Sequence, residues 1–256
     1  GCPDRDGDGM SDDNDDFPDD PLRAGDADAD GLDDALEDDC STTYGTSTHD
    51  RMGCPDSDGD GYSDPDQSWM VSMGADAFPL IPSQWEDFDD DGYGDNASGL
   101  EPDSCIQVQG DSTEDRYGCP DSDGDGWSNP DTLWNAGNGA DAFPDEASQW
   151  ADSDGDGYGD EALGIMADQC PNISGSSTVD RLGCIDSDDD GWSDADSTWS
   201  TDDGADIWPQ DATQSTDSDG DGFGDNLSGN NADDCPNEAG TSMQASKGCV
   251  DGDGDG

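Results

Sequence analysis

The chain has 256 residues, with 69 acidic against 6 basic side chains, a formal net charge of −63 and only 28% hydrophobic residues. Such acidity excludes nucleic acid as a partner, because phosphate would be repelled, and no apolar run approaches the length of a membrane span. A composition this polar ordinarily leaves a chain disordered, too poor in apolar side chains to offset the entropy of ordering.

A repeated turn changes that expectation. The first copy places Asp4, Asp6 and Asp8 at positions 1, 3 and 5, Gly9 at position 6, Met10 at position 7 and Asp12 at position 9, with Asp15 at position 12. The second carries Asp26, Asp28, Asp30, Leu32 and Asp34, with Glu37 at position 12. There follow Asp56, Asp58, Asp60, Tyr62 and Asp64, and then Asp87, Asp89, Asp91, Tyr93 and Asp95. The fifth has Asp121, Asp123, Asp125, Trp127 and Asn129, whose amide keeps an oxygen with one charge fewer. The sixth has Asp152, Asp154, Asp156, Tyr158 and Asp160, and the seventh Asp186, Asp188, Asp190, Trp192 and Asp194. The eighth has Asp217, Asp219, Asp221, Phe223 and Asp225, and a ninth begins with Asp251, Asp253 and Asp255.

Three carboxylates this close repel one another by about 1 kcal/mol per pair even in full water screening. A cation among them removes the penalty. Hard oxygens at alternate positions, a glycine at the bend and a backbone carbonyl at position 7 are what Ca²⁺ requires, whereas Mg²⁺ demands a tighter octahedron with retained water. Acidic residues that only solubilise a surface need no register and no glycine at position 6. Metal binding then supplies the folding free energy that a core does not.

The repeat has a period of 65 residues: Cys54, Cys119, Cys184 and Cys249 form one series, and Cys40, Cys105, Cys170 and Cys235 another. Residues 2–53 form a shortened copy, three full copies cover 54–118, 119–183 and 184–248, and 249–256 begin the next. The chain thus reads as a window cut from a longer repetitive protein. Helical periodicity and strand alternation are both absent, with Asp26 to Glu37 the nearest to a loop-plus-helix pattern. The expected fold is irregular and loop-rich: a calcium-organised tandem repeat, elongated as a rod or fibre, with little regular secondary structure.

Most loops have no acid at position 12 and need one from farther along the chain. Two periodic sets are candidates: Asp76, Asp141 and Asp206 within Gly-Ala-Asp, and Asp103, Asp168 and Asp233, each two residues before a cysteine. Nine divalent ions would still leave most of the 63 negative charges in place, which favours shared multi-ion sites with residual acidity.

Asp152 to Asp160 followed by Asp168-Gln169-Cys170-Pro171 resembles the thrombospondin type 3 repeats. That resemblance implies a chain almost without regular structure, wrapped around many Ca²⁺ ions and linked by disulfides in an extracellular protein. The seven residues between Asp160 and Asp168, and the Ala-Phe-Pro segment, depart from the family pattern.

Nine cysteines in such a chain indicate an oxidising, secreted or cell-surface setting. Two periodic pairings are open. One joins Cys40 to Cys54, Cys105 to Cys119, Cys170 to Cys184 and Cys235 to Cys249, leaving Cys2; the other joins Cys2 to Cys40, Cys54 to Cys105, Cys119 to Cys170 and Cys184 to Cys235, leaving Cys249. Loop-closure entropy favours the first. Periodic Trp and Phe residues suit small clusters between loops, or a carbohydrate platform using Trp127 and Trp192. Arg51, Arg116 and Arg181, each three residues before a cysteine, are placed to pair with the following acidic loop, and the single histidine, His49, reads as solvated. Asn96, Asn172 and Asn226 open N-glycosylation acceptor motifs, so glycans enter as possible partners.

No nucleophile–base constellation is legible with one histidine, so no catalysis is expected. The leading expectation is an extracellular structural protein, a stalk or fibre subunit that self-associates or runs in tandem copies. Its alternatives are a calcium-dependent adhesion or carbohydrate-binding module, and a spacer attached to an enzyme.

Overall fold

Glycine, proline and aspartate, which favour turns over helices and strands, set the architecture. A computed structural model describes residues 1–244 and 246–254. Regular structure among them amounts to two single-turn 3₁₀ segments, Val71–Met73 and Ala136–Asn138, and four isolated parallel bridges. Each 3₁₀ turn stops at a glycine in the left-handed region, Gly74 at φ 109° and Gly139 at φ 107°. The irregular, loop-rich fold expected from the sequence is what the chain adopts, and the same contacts recur at the 65-residue spacing.

The chain forms two compact units, residues 1–121 with 126–128 and residues 122–125 with 129–256. The first buries Cys54, Ala75 and Cys119, and the second Ala140, Cys184 and Ala205, as their hydrophobic interior. Six small side chains do not make a core that holds 256 residues. Most of what is buried is polar, so each buried group needs its own partner.

Serine supplies many of those partners. In the first unit Ser47 is buried; its hydroxyl donates to the carbonyl of Arg51 and accepts from Cys54 N at 2.9 Å. Ser112 and Ser177 make the same pair of contacts at Arg116 and Cys119, and at Arg181 and Cys184. These stitches lie inside hairpins closed by Cys40–Cys54, Cys105–Cys119 and Cys170–Cys184, and Cys235–Cys249 closes a further hairpin. The shorter pairing is therefore the one adopted, and Cys2 is a free, exposed thiol. Each bridge closes a 14-residue separation, worth about 3 kcal/mol in the chain-entropy description.

A second buried group goes unannounced by motif. Gln84 is 1% exposed; its Nε2 donates to the carbonyls of Asn96 (3.2 Å) and Leu100 (3.0 Å), while its Oε1 accepts from Asn96 N at 2.9 Å. Gln149 and Gln214 repeat this clasp in the second unit. The clasp requires a bare backbone opposite: a Cβ on Gly94 would come within 2.3 Å of the Gln84 side chain.

Aromatic rings pin the copies at their seams. Trp69 Nε1 donates to Asp50 at 3.0 Å, and Asp50 also receives the backbone and hydroxyl of Ser63. Arg51 crosses the Trp69 ring at 5.4 Å and pairs with Asp66 at 2.8 Å. In the second unit Asp180, Ser193, Trp199, Arg181 and Asp196 repeat the set. Arg51 and Arg181 thus make the expected local ion pair. His49 differs from its expectation: although exposed, it stacks on Tyr62 at 5.1 Å. The segment from Asp26 to Glu37 forms no helix. Its last turn closes on one carbonyl, Asp33 O, which accepts from Leu36 N, Glu37 N and Asp38 N, while the Asp33 carboxylate takes Ala24 N and Ala35 N.

Candidate metal centres

Each acidic loop folds through its own carboxylates. In the loop starting at Asp56, the two carboxylate oxygens accept from Gly59 N (2.7 Å) and Gly61 N (3.0 Å), Asp58 accepts from Asp60 N (3.2 Å), and Asp60 accepts from Tyr62 N (2.9 Å). Position 9 closes the circle, with Asp64 N donating to Pro55 O at 2.8 Å. The loops starting at Asp152 and Asp217 make the same bonds from positions 4, 6 and 7.

After these bonds are made, particular oxygens are left over. Asp58 Oδ2 and Asp60 Oδ2 are buried and have no donor, and so is Asp76 Oδ2, from the Gly-Ala-Asp segment. Asp76 is 1% exposed; Phe78 N occupies only its Oδ1, at 2.7 Å. Asp28, Asp30 and Asp38 present the same three bare oxygens in the shortened copy. Asp89 and Asp103 leave buried oxygens bare in the loop starting at Asp87, Asp154 and Asp168 in that starting at Asp152, Asp219 and Asp233 in that starting at Asp217, and Asp188 and Asp206 in that starting at Asp186. Asp6 leaves one in the first loop of the chain.

Both distal sets therefore lie where the sequence register puts them. Burial pushes Asp76 up to about 6, and the nearby Asp60, Asp58 and Asp64 add to the shift against one opposing backbone hydrogen bond. Asp206 is raised to about 6 for the same leading reason, beside Asp190, Asp188 and Asp194. Asp103 and Asp168, raised to about 6 by burial, sit beside Asp91, Asp89 and Asp95 and beside Asp156, Asp154 and Asp160. Asp141 is fully buried and accepts Phe143 N at 2.7 Å, the position its repeat predicts.

Among the described residues, eight groups of ligand atoms within 4.8 Å of one another could hold a metal ion, including Asp4 with Asp6 and Asp8, Asp26 with Asp28 and Asp30, Asp56 with Asp58 and Asp60, and Asp87 with Asp89 and Asp91. Buried anionic oxygens that face one another without donors cost several kcal/mol each unless a cation joins them. The donor set is all oxygen: the one histidine is stacked on a tyrosine, and eight of the nine cysteines are oxidised. Hard divalent cations fit such a set and soft ones do not.

Three expectations change in detail. Glu37 does not turn to its loop: its carboxylate pairs with Arg23 at 2.9 Å. The buried bare oxygen beside Asp28 and Asp30 belongs instead to Asp38, two residues before Cys40 as Asp103 stands before Cys105. Asp15 is buried and accepts Phe17 N at 2.8 Å, as Asp76 does from Phe78, so it closes its loop by the Gly-Ala-Asp register as much as by position 12. Position-9 acids form the loop frame. Asp64, Asp160, Asp194 and Asp225 each accept the backbone and hydroxyl of the serine at position 2, and Asn129 reverses one bond by donating to Ser122 Oγ.

The remaining candidates are placed as follows. The position-7 residues Met10, Leu32, Tyr93, Trp192 and Phe223 donate their amides to the position-5 carboxylates. Asp95 donates its amide to Glu86 O, and Asp12 and Asp34 close their loops on Pro3 and Gly25. Asp121 accepts Gly126 N at 2.7 Å, and Asp186 accepts Asp189 N and Gly191 N. In the last loop Asp251 accepts Gly254 N; Asp253 lies in that turn, and Asp255 lies outside the described residues. Asn96 and Asn226 use their side-chain amides to hold Ser83 O and Thr213 O, whereas Asn172 is exposed.

No family model matches the chain, and no curated protein matches it. Four disulfides fit an oxidising compartment. No helix of the described residues is long and apolar enough to cross a membrane.

Proposed function

We propose that this chain is a Ca²⁺-organised, disulfide-stapled repeat segment of an extracellular structural protein, serving as a stalk or as the subunit of a fibre. The observation that carries the proposal is the convergence of bare, buried oxygens. Asp58, Asp60 and Asp76 each bring one to the same loop, and the pattern recurs along the chain. Calcium takes six to eight oxygens in flexible geometry, which suits carboxylates from a loop and from a distant closer together with the position-7 carbonyl. Mg²⁺ would keep most of its water and leave those oxygens unmet. The resemblance to thrombospondin type 3 repeats points the same way.

Ions that bind the folded chain and not the unfolded one stabilise it in proportion to the logarithm of their concentration over the dissociation constant. A segment organised in this way is stiff in calcium-rich extracellular fluid and loose elsewhere. Near-neighbour contacts at a fixed period suit extension and tandem assembly. Small-angle scattering of the oxidised protein tests the proposal directly. A stiff, extended particle in Ca²⁺ that becomes a flexible coil in excess chelator supports it; an unchanged profile refutes it.

A further inference from the structure

Copy 54–118 contains a cleft whose wall is peculiar to that copy. It encloses about 230 Å³, and its lining includes Tyr62, Trp85 and Phe88 together with Glu86, Asp87 and Asp95. The rings of Tyr62 and Trp85 stack at 5.2 Å and within 6° of parallel. Phe88 is 71% exposed at loop position 2, where Ser57, Ser153, Ser187 and Ser218 instead bond the position-9 carboxylate. One period later Glu86 and Phe88 become Ala151 and Ser153, and two periods later Thr216 and Ser218. The shared repeat therefore does not call for this combination of rings and charge.

Two kinds of group meet here. Aromatic rings attract cations through their π faces, most strongly where water is partly excluded; Tyr62 is stacked on both His49 and Trp85, so Trp85 and Phe88 are the rings of the lining left to do this. Glu86 brings an exposed carboxylate that pairs with no basic residue among those described. Asp87 and Asp95 belong to a loop that gathers five carboxylates with Asp89, Asp91 and Asp103, and one divalent ion leaves that loop negative. A neutral sugar would use the rings and ignore the charge; a bare metal ion would use the charge and ignore the rings. An alkylammonium group uses both.

We infer that this cleft binds an organic ammonium, either a small quaternary amine or a lysine side chain of a partner protein. The inference rests on the calcium reading only in that Ca²⁺ holds the wall in place. The test is ligand-observed NMR on the full chain, saturated with Ca²⁺ at about 150 mM salt, where diffuse attraction is screened beyond about 8 Å. Choline and the Nα-acetyl methylamide of lysine are the probes. The variants Phe88→Ser and Glu86→Ala install residues that the next copy already carries, so both leave the turn buildable.

The expected result is saturable binding of one probe, weakened about fivefold or more in each variant. Preference for choline assigns a small quaternary amine, and preference for the lysine derivative assigns a partner's side chain; either supports the inference. Binding that is undiminished in both variants would reduce it to counterion attraction by a polyanion and overturn it. Absence of binding, or stronger binding of a neutral methyl glucoside, overturns it too. Near-UV circular dichroism with and without Ca²⁺ on the same samples separates an empty cleft from a fold that never formed.

Discussion

Asp103 Oδ1 lies where a side chain on Gly118 would begin: a Cβ there would stand 2.4 Å away. Gly118 has φ 73° and precedes Cys119, whose bridge to Cys105 closes the hairpin beside Asp103 and Asp91 of the acidic loop. Gly53 with Asp38, Gly183 with Asp168 and Gly248 with Asp233 repeat the approach. The disulfide hairpin and the second loop of each copy are thus one device, with a glycine as the point of contact. Gly118→Ala should strip its loop of the closing carboxylate and remove one ion from the stoichiometry. Gly59→Ala is the control. It has φ 84° and open space around it, so it should cost about 1–2 kcal/mol of backbone strain and keep every ion. Native mass spectrometry and thermal melts in Ca²⁺ read both outcomes.

Glu37 and Asp38 are neighbours with opposite assignments. Asp38→Asn should eliminate the ion of the loop starting at Asp26, because it neutralises the oxygen that faces Asp28 and Asp30. Glu37→Gln should leave that ion in place and cost no more than the roughly 0–1 kcal/mol of an exposed ion pair with Arg23. Native mass spectrometry in Ca²⁺ measures ion occupancy. Loss of the ion in Glu37→Gln alone would reverse the assignment.

Acid should act in opposite directions with and without metal. Asp76, Asp103, Asp168 and Asp206 rise from 3.8 to about 6, through burial first and neighbouring carboxylates after it. A carboxyl raised in the folded state adds stability that is complete below its unfolded value and is lost as pH climbs through the folded one. The metal-free chain should therefore gain order as pH falls from about 7 to about 4. The Ca²⁺-loaded chain should lose ions over the upper part of that range, because the same protons compete with the metal. Circular dichroism across pH, in Ca²⁺ and in chelator, checks the two signs.

Gln84→Leu keeps the volume of the clasp and removes its hydrogen bonds. It strands Asn96 N and Leu100 O beside an apolar group, while Asn96 O keeps Gly99 N, which should cost about 2–3 kcal/mol in urea unfolding of the Ca²⁺ form. A cost under about 0.5 kcal/mol would mean that water replaces the glutamine.

The carboxylate frame is legible in the sequence because the alternation of aspartates and the glycine at position 6 fix both residue type and spacing. Asp103, Asp168 and Asp233 are found the same way, through their register with a cysteine. Asp38 obeys the same register, but the position-12 pattern of helical calcium loops points one residue too early, to Glu37. Gln84 is harder. A buried glutamine reads like an exposed one in so polar a chain, and only its recurrence at Gln149 and Gln214 marks it. The stack of His49 on Tyr62 has no periodic signal, since the next copies hold Glu114 and Val179 at the histidine's place.

Amide hydrogen exchange of the oxidised protein, with Ca²⁺ and then with excess chelator, bears most directly on whether metal organises the fold. The amides of Gly61, Gly157 and Gly222 donate to Asp56, Asp152 and Asp217 at 3.0, 3.0 and 2.8 Å. A metal-organised fold predicts slow exchange at these glycines in Ca²⁺ and near-unfolded rates after chelation, with residual protection only inside the disulfide hairpins. Equal protection in both states would contradict it, leaving the disulfides and the glutamine clasps to hold the loops without metal.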